Sequence, residues 1–285
     1  SRRNGHGGEA RNYGSYRAES RVAFDGLQRL AARECKDPYG AGSLNPVQST
    51  FFEPMGPEEL YDLEKDPYET NNLAGDPAMR PVVESLRGEM NRYMVEKCDL
   101  GFFPECIILE EAEGAPSRFG QAHRQQIASY IAVADLQQAG YTPKTRRALR
   151  KAVASDDPVM RWWGLTTLGW YASNDTPLRE DVRPLLADAR SFVQSRATVL
   201  LSMQGDRFTK EHWLSILNHA QSEAEVLLVL NDLTYAVEQG LTDPFALKKS
   251  ENRLKCQGVD WGLESLDACS GGGGPTRRAT SLCAE

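Results

Sequence analysis

Asp156-Asp157-Pro158-Val159-Met160-Arg161-Trp162-Trp163-Gly164-Leu165-Thr166-Thr167-Leu168-Gly169-Trp170-Tyr171 is the stretch on which the fold turns. An aspartate before a helix accepts hydrogen bonds from the unpaired N–H groups of the first turn, and a proline in the next position already has its φ set for a helix. Asp157-Pro158 therefore starts a helix, and the apolar residues behind it recur at helical spacing to about Tyr171. The same periodicity extends in both directions. Helices are expected at about 121–138, 143–154, 158–171, 178–189, 192–203, 210–218 and 223–239. Superposing Val159-Met160, Phe192-Val193 and Glu225-Val226 brings Gly164, Ala197 and Leu230 into register, a step of about 33 residues. One helical pair cannot cover its own apolar face, so such a step marks pairs that stack, and this chain has about three of them.

The chain has 285 residues, 40% hydrophobic and 26% charged, enough for one sizeable core or two modest ones. A formal net charge of -7 argues against nucleic acid as a general partner, because that role needs clustered Lys and Arg to displace counterions. Local basic runs such as Lys144 to Lys151 are short. No apolar run approaches the roughly 18–20 residues that span a bilayer, so no membrane partner is expected. Ser1 to Ser20 carries Arg2, Arg3, Arg11 and Arg17 among Gly, Asn and Ser, without the apolar core of a secretory signal. The six cysteines include no C-x-x-C pair and read as free thiols or as one disulfide such as Cys98 to Cys106.

Upstream of the helical region the character differs. Val22, Ala23, Leu27, Leu30 and Ala31 suit a short helix over Glu19 to Cys35, broken by Pro38-Tyr39-Gly40. Glu59-Leu60-Tyr61-Asp62-Leu63 alternates like a short strand, closed by Asp66-Pro67, with Asn71 and Asn72 placed where the chain reverses. Asp76-Pro77 begins a further helix to about Lys97, its stripe built from Val82, Val83, Leu86, Met90, Tyr93 and Met94. Pro81 removes an intrahelical donor, so the regular helix is expected from Pro81 onward. Cys98 to Glu105 reads as a turn-rich exit.

Leu60-Tyr61-Asp62-Leu63-Glu64-Lys65-Asp66-Pro67-Tyr68-Glu69-Thr70-Asn71-Asn72-Leu73-Ala74 resembles the "LYDLxxDPxExxNLA" segment in the C-terminal subdomain of sulfatases. Gly42 to Phe52 before it and Asp99 to Glu105 after it are similar to that family in the same order. The resemblance runs from about Tyr16 to Glu111 and is nearest the N-sulphoglucosamine sulphohydrolase-like and arylsulfatase group of the alkaline-phosphatase-like superfamily. Asp156 to Arg161 resembles the inter-helix turn of a HEAT repeat. Together these imply a mainly α chain: a small α/β subdomain remnant over 19–113, then a HEAT-like helical solenoid over 114–256. Disordered tails are expected at 1–18 and 257–285, the latter holding Gly271-Gly272-Gly273-Gly274-Pro275.

The resemblance implies a sulfuric ester hydrolase acting on sulfated glycans or related esters. Its nucleophile would be a formylglycine made from the Cys or Ser of a C/S-x-P-x-R motif, beside a divalent cation, typically calcium, on Asp and Asn ligands. No Cys or Ser of this chain has Pro two residues on and Arg four on. Ser1 to Tyr13 also departs from the strand that usually feeds this subdomain, so no sulfate-contacting residue carries over. No catalytic, cofactor-binding or metal residue is therefore assigned. The expectation is a C-terminal sulfatase fragment, inactive alone, whose partner is a catalytic domain and whose repeats contact protein or glycan. The alternative is a non-enzymatic HEAT-repeat interaction module that keeps the sulfatase tail. Such enzymes are often periplasmic, lysosomal or secreted, and the compartment of this chain is not assigned.

Other constellations favour structure over chemistry. Asp156-Asp157 reads as a helix cap before a metal pair. His212 and His219 share a helical face near a helix end and read as solvated or capping groups. Trp162, Trp163 and Trp170 read as packing, with a sugar-stacking platform as the lesser idea. No G-x-S-x-G elbow occurs.

Overall fold

A computed structural model describes residues 58–172 and 178–245. The expected helix at Glu19 to Cys35, the Gly42 to Phe52 segment and both tails lie outside the described residues. Among the described residues ten α-helices follow one another: α1 (Arg80–Glu96), α2 (Glu105–Glu111), α3 (Pro116–Ala122), α4 (Arg124–Ala134), α5 (Pro143–Val153), α6 (Pro158–Gly169), α7 (Arg179–Val182), α8 (Ser191–Met203), α9 (Lys210–His219) and α10 (Glu223–Glu238). Short 3-10 turns stand at Pro77–Met79, Leu100–Phe102, Asp135–Gln138 and Arg183–Ala187.

Capping side chains fix several of the starts. Asp157 accepts the Val159 N–H at 2.9 Å ahead of α6, Thr142 the Thr145 N–H at 3.1 Å ahead of α5, and Ser222 the Glu225 N–H at 3.3 Å ahead of α10. Asp76 caps the Pro77–Met79 turn, and α1 then begins at Arg80 with Pro81 in its second position. That start is one residue earlier than expected, because the second helical N–H has no intrahelical partner and proline loses nothing there.

Two expectations need correction. Residues 59–63 are not a strand, and no strand occurs among the described residues. A strand needs a neighbour for its ladder; here Leu60 donates to Asn72 Oδ1 at 3.0 Å and accepts from Leu73 N–H at 2.7 Å, which closes a loop instead. The helix expected over 178–189 is α7 followed by the 3-10 turn Arg183–Ala187. Pro184 lacks the N–H that would continue the α ladder.

The mainly α class holds for the described residues. Helices α4, α6, α8 and α10 pack each against the next, while α5 packs on α6, the Arg183–Ala187 turn on α8, and α9 on α8 and α10. Gly164 makes the α5–α6 crossing possible: a Cβ there would lie 3.0 Å from Ala152 Cβ and 3.0 Å from Val153 Cγ1. Trp162, Trp163, Leu149, Leu165 and Phe192 lie in one core, and Trp213, Ile216, Val226 and Val229 in a second.

Arginine–acid pairs tie each helical pair to the following one. Arg161 grips Asp188 at 2.7 and 2.9 Å, Arg150 reaches Asp181 at 2.7 Å, and Arg183 reaches Asp206 at 3.1 Å. Arg196 of α8 pairs with Asp232 of α10 at 3.0 Å, and Asp232 also accepts from Ser195 Oγ at 2.7 Å. Burying Arg161–Asp188 and Arg196–Asp232 removes them from water, so their gain over apolar residues is small, but a mispaired register would strand a charge; the more exposed Arg150 and Arg183 pairs add little. The buried two select one alignment of these helices.

Candidate functional site

The segment resembling the sulfatase signature is a loop built from its own polar side chains. Asp62 Oδ1 accepts the Glu64 and Lys65 N–H groups at 3.2 and 3.3 Å, and its other oxygen meets Lys65 Nζ at 2.7 Å. Asp66 Oδ2 accepts the Thr70 and Asn71 N–H groups at 2.7 and 2.8 Å, and Oδ1 accepts from Thr70 Oγ1 at 3.0 Å. Asn72 Oδ1 bridges Leu60 N–H and Ala74 N–H, both at 3.0 Å. The Lys65 ammonium holds the Asp62 carboxyl below its ordinary range, and the Asn71 N–H does the same for Asp66. Groups kept ionised in this way suit turn formation and are poor proton donors near neutral pH. Glu69 takes the left-handed backbone region at φ 55°, where the loop reverses.

A two-pronged ion pair anchors this loop to α1. Arg87 donates from Nε and Nη2 to the two oxygens of Glu58, at 2.6 and 2.5 Å. On the neighbouring face of α1, Val82, Leu86, Met90 and Tyr93 are exposed along one stripe among the described residues. Asn91 binds α1 to Asp135 at 2.5 Å, and Met94 is buried.

The residues weighed for chemistry are engaged in structure. Both oxygens of Asp157 are taken, one by Val159 N–H and the other by Tyr130 Oη at 2.6 Å, while Asp156 is exposed. His212 Nε2 lies 2.9 Å from Thr198 Oγ1, its ring sits 4.5 Å from that of Phe208, and burial lowers its pKa. His219 Nε2 lies 3.1 Å from the Ala189 carbonyl. Trp162 and Trp163 are buried and form no platform; Trp170 is half-buried. Cys98 and Cys106 are free, and burial pushes the Cys106 thiol up to about 12, far from a thiolate nucleophile. No group of three or more His, Cys, Asp or Glu side chains that could hold a metal occurs among the described residues. No helix among them is long and apolar enough to cross a membrane.

A charged junction escaped sequence reasoning altogether. Arg190, just ahead of α8, donates from Nη2 to both oxygens of Glu110 at 3.0 Å and from Nε to Glu225 at 3.2 Å, and stacks 5.0 Å above the Phe192 ring. Glu225 also accepts the Ser191 and Gln221 N–H groups at 2.9 and 2.8 Å. Its partners lie 80 and 35 residues away along the chain, so no local pattern signals it.

Comparison with known proteins adds a partial match. The chain is 34% identical over 71 residues to the ulvan-active sulfatase of Formosa agariphila. No family model and no solved structure matches the chain. The matched stretch is 25% of this chain and spans only 12% of the length of that enzyme, so what is shared with a sulfatase is a short region of it.

Proposed function

We propose that the chain is the C-terminal portion of a sulfuric ester hydrolase, in which a small sulfatase subdomain is followed by a HEAT-like helical array. The partial match to a sulfatase carries this reading. The exposed stripe of Val82, Leu86, Met90 and Tyr93 supports it, since an apolar helix face of that length suits burial within a larger enzyme. The described residues then supply scaffold: the Asp62, Asp66 and Asn72 loop fixes the subdomain's shape, and Arg87 locks that loop to α1. Nucleophile and cation belong to a catalytic domain carrying the C/S-x-P-x-R motif, which this sequence lacks. The substrate class is a sulfated glycan, in keeping with the name of the matched enzyme. An assay of this chain with a chromogenic aryl sulfate, with and without calcium, tests the reading. It should stay at background, and metal-dependent turnover would refute it.

A second reading rests on the ordered packing of α4, α6, α8 and α10, which suits a non-enzymatic HEAT-like module for protein contact. Under that reading the sulfatase-like loop is a retained scaffold, and the chain's reading frame would contain no nucleophile motif.

A further inference from the structure

The segment between α1 and α3 does more than connect them. At its start the Phe102 ring lies 5.6 Å from that of Trp163 in α6, and its carbonyl accepts Trp163 Nε1–H at 2.8 Å. In its middle, Cys106 is fully buried with its Sγ 3.8 Å from Arg190, just ahead of α8. At its end, Glu110 accepts from Arg190 at 3.0 Å and from Ser222, the cap of α10, at 3.3 Å. One short run thus touches α6 and the starts of α8 and α10 in turn, its Phe103 ring packs on Phe119 of α3 at 4.9 Å and on Tyr130 of α4 at 5.3 Å, and α2 packs directly on α10. Its burial is one-sided: Phe103, Cys106 and Ile107 are buried, whereas Leu109 is 67% exposed.

Two further facts separate this from an ordinary connection. A seven-residue helix such as α2 has no stability of its own, so the surface beneath supplies its order. Its covalent link onward to α3 is the turn at Glu113 and Gly114, both at positive φ and both exposed, which contributes no packing. The surface, by contrast, holds its polar groups with partners of its own: the buried Trp163 N–H meets the strap from a packed helix, and the Arg190 guanidinium is held by Glu225 and Phe192 as well as by Glu110.

We infer that the face formed by α3, α4, α6 and the starts of α8 and α10 is a peptide-binding surface whose occupant is this chain's own residues 100–112, held in cis. The ligand it fits has paired aromatics, a proline, two buried apolar residues one helical turn on, and a carboxylate at the far end. Occupancy by the strap joins the loop and α1 to α10 as one unit. This holds under either reading of the function.

The test uses the full chain with a specific protease site placed between Glu113 and Gly114, folded intact and then cut. The two pieces should co-elute, because the strap stays seated. A labelled synthetic peptide of residues 99–113, added in large molar excess, should enter the array and release the upstream piece. Arg190→Ala in the array, or Glu110→Gln in the peptide, should weaken its binding about tenfold, the effect of losing a charge-assisted hydrogen bond. Leu109→Ala in the peptide should change nothing. Separation of the pieces on cutting would overturn the inference, as would loss of helical circular dichroism on cutting. Pieces that stay together while the peptide fails to enter would overturn it too, since the α1–α4 contact and not the strap would then be holding them.

Discussion

Replacing Gly164 by alanine sets two opposed effects against each other. In a helix interior, alanine is favoured over glycine by about 1 kcal/mol, because less backbone freedom is lost on folding. Against this, the new methyl would stand 3.0 Å from Ala152 Cβ, 3.0 Å from Val153 Cγ1 and 3.1 Å from the Val153 backbone nitrogen. Carbon atoms in good contact sit about 3.5–4.0 Å apart, so α5 must retreat by several tenths of an ångström. Neither neighbour can give way: Ala152 has no rotamer to change, the Val153 nitrogen is backbone, and both residues are buried. Overpacking of this kind costs about 1–3 kcal/mol, which outweighs the propensity gain and leaves a net loss of about 1 kcal/mol. That corresponds to a fall in Tm of about 2–4 °C. Gly88 on α1 is the control, since a Cβ there meets nothing within 4 Å and only the propensity gain remains. Urea unfolding followed by tryptophan fluorescence and far-UV circular dichroism should show a lower midpoint for Gly164→Ala and an equal or higher one for Gly88→Ala. A raised midpoint for Gly164→Ala would refute the close α5–α6 crossing.

Trp163→Phe keeps most of the ring but leaves the buried Phe102 carbonyl without its donor, and should cost about 1–3 kcal/mol in the same unfolding experiment. A change near zero would show that the carbonyl has another partner. Arg196→Ala leaves Asp232 charged and buried and should cost about 3–5 kcal/mol, whereas Arg196→Met combined with Asp232→Leu should restore most of the loss. Failure of the double replacement would show that the pair adds net stability beyond fixing register. Burial depresses the pKa of His212 in the folded state, so the stability from its neutral ring is fully present above the unfolded value of 6.5 and is lost as pH falls through the folded value. The stability difference between the native chain and His212→Gln should therefore narrow from pH 7.5 to pH 5, and a constant difference would contradict it.

Helix starts were legible where a short polar residue and a proline stand together. Asp157-Pro158, Thr142-Pro143 and Asp76-Pro77 carry both the cap and the preset torsion, and each marks an observed start. Glu59 to Leu63 misled because alternation is a local signal, whereas a strand exists only through a neighbour, and Asn72 supplies a side-chain partner instead. Pro184, inside the 178–189 span, has no N–H for the α ladder, and the chain tightens there to a 3-10 turn that apolar periodicity does not signal. The strap was the least legible part. Phe102 and Trp163 lie 61 residues apart, and Glu110 and Ser222 lie 112 apart, distances at which periodicity carries no information. Its one local hint was the cluster Phe102-Phe103 with Cys106-Ile107, too apolar for a solvent-exposed turn.

As to chemistry, Asp62, Asp66 and Asn72 are occupied in shaping the loop: Asp66 serves two backbone N–H groups and one hydroxyl, which is a structural role.

The central claim, that this chain belongs to a longer sulfatase, is tested most directly by sequencing the transcript upstream of the codon for Ser1. The account predicts an open frame continuing upstream to a C/S-x-P-x-R motif. A start codon just before Ser1, preceded by an in-frame stop, would contradict it.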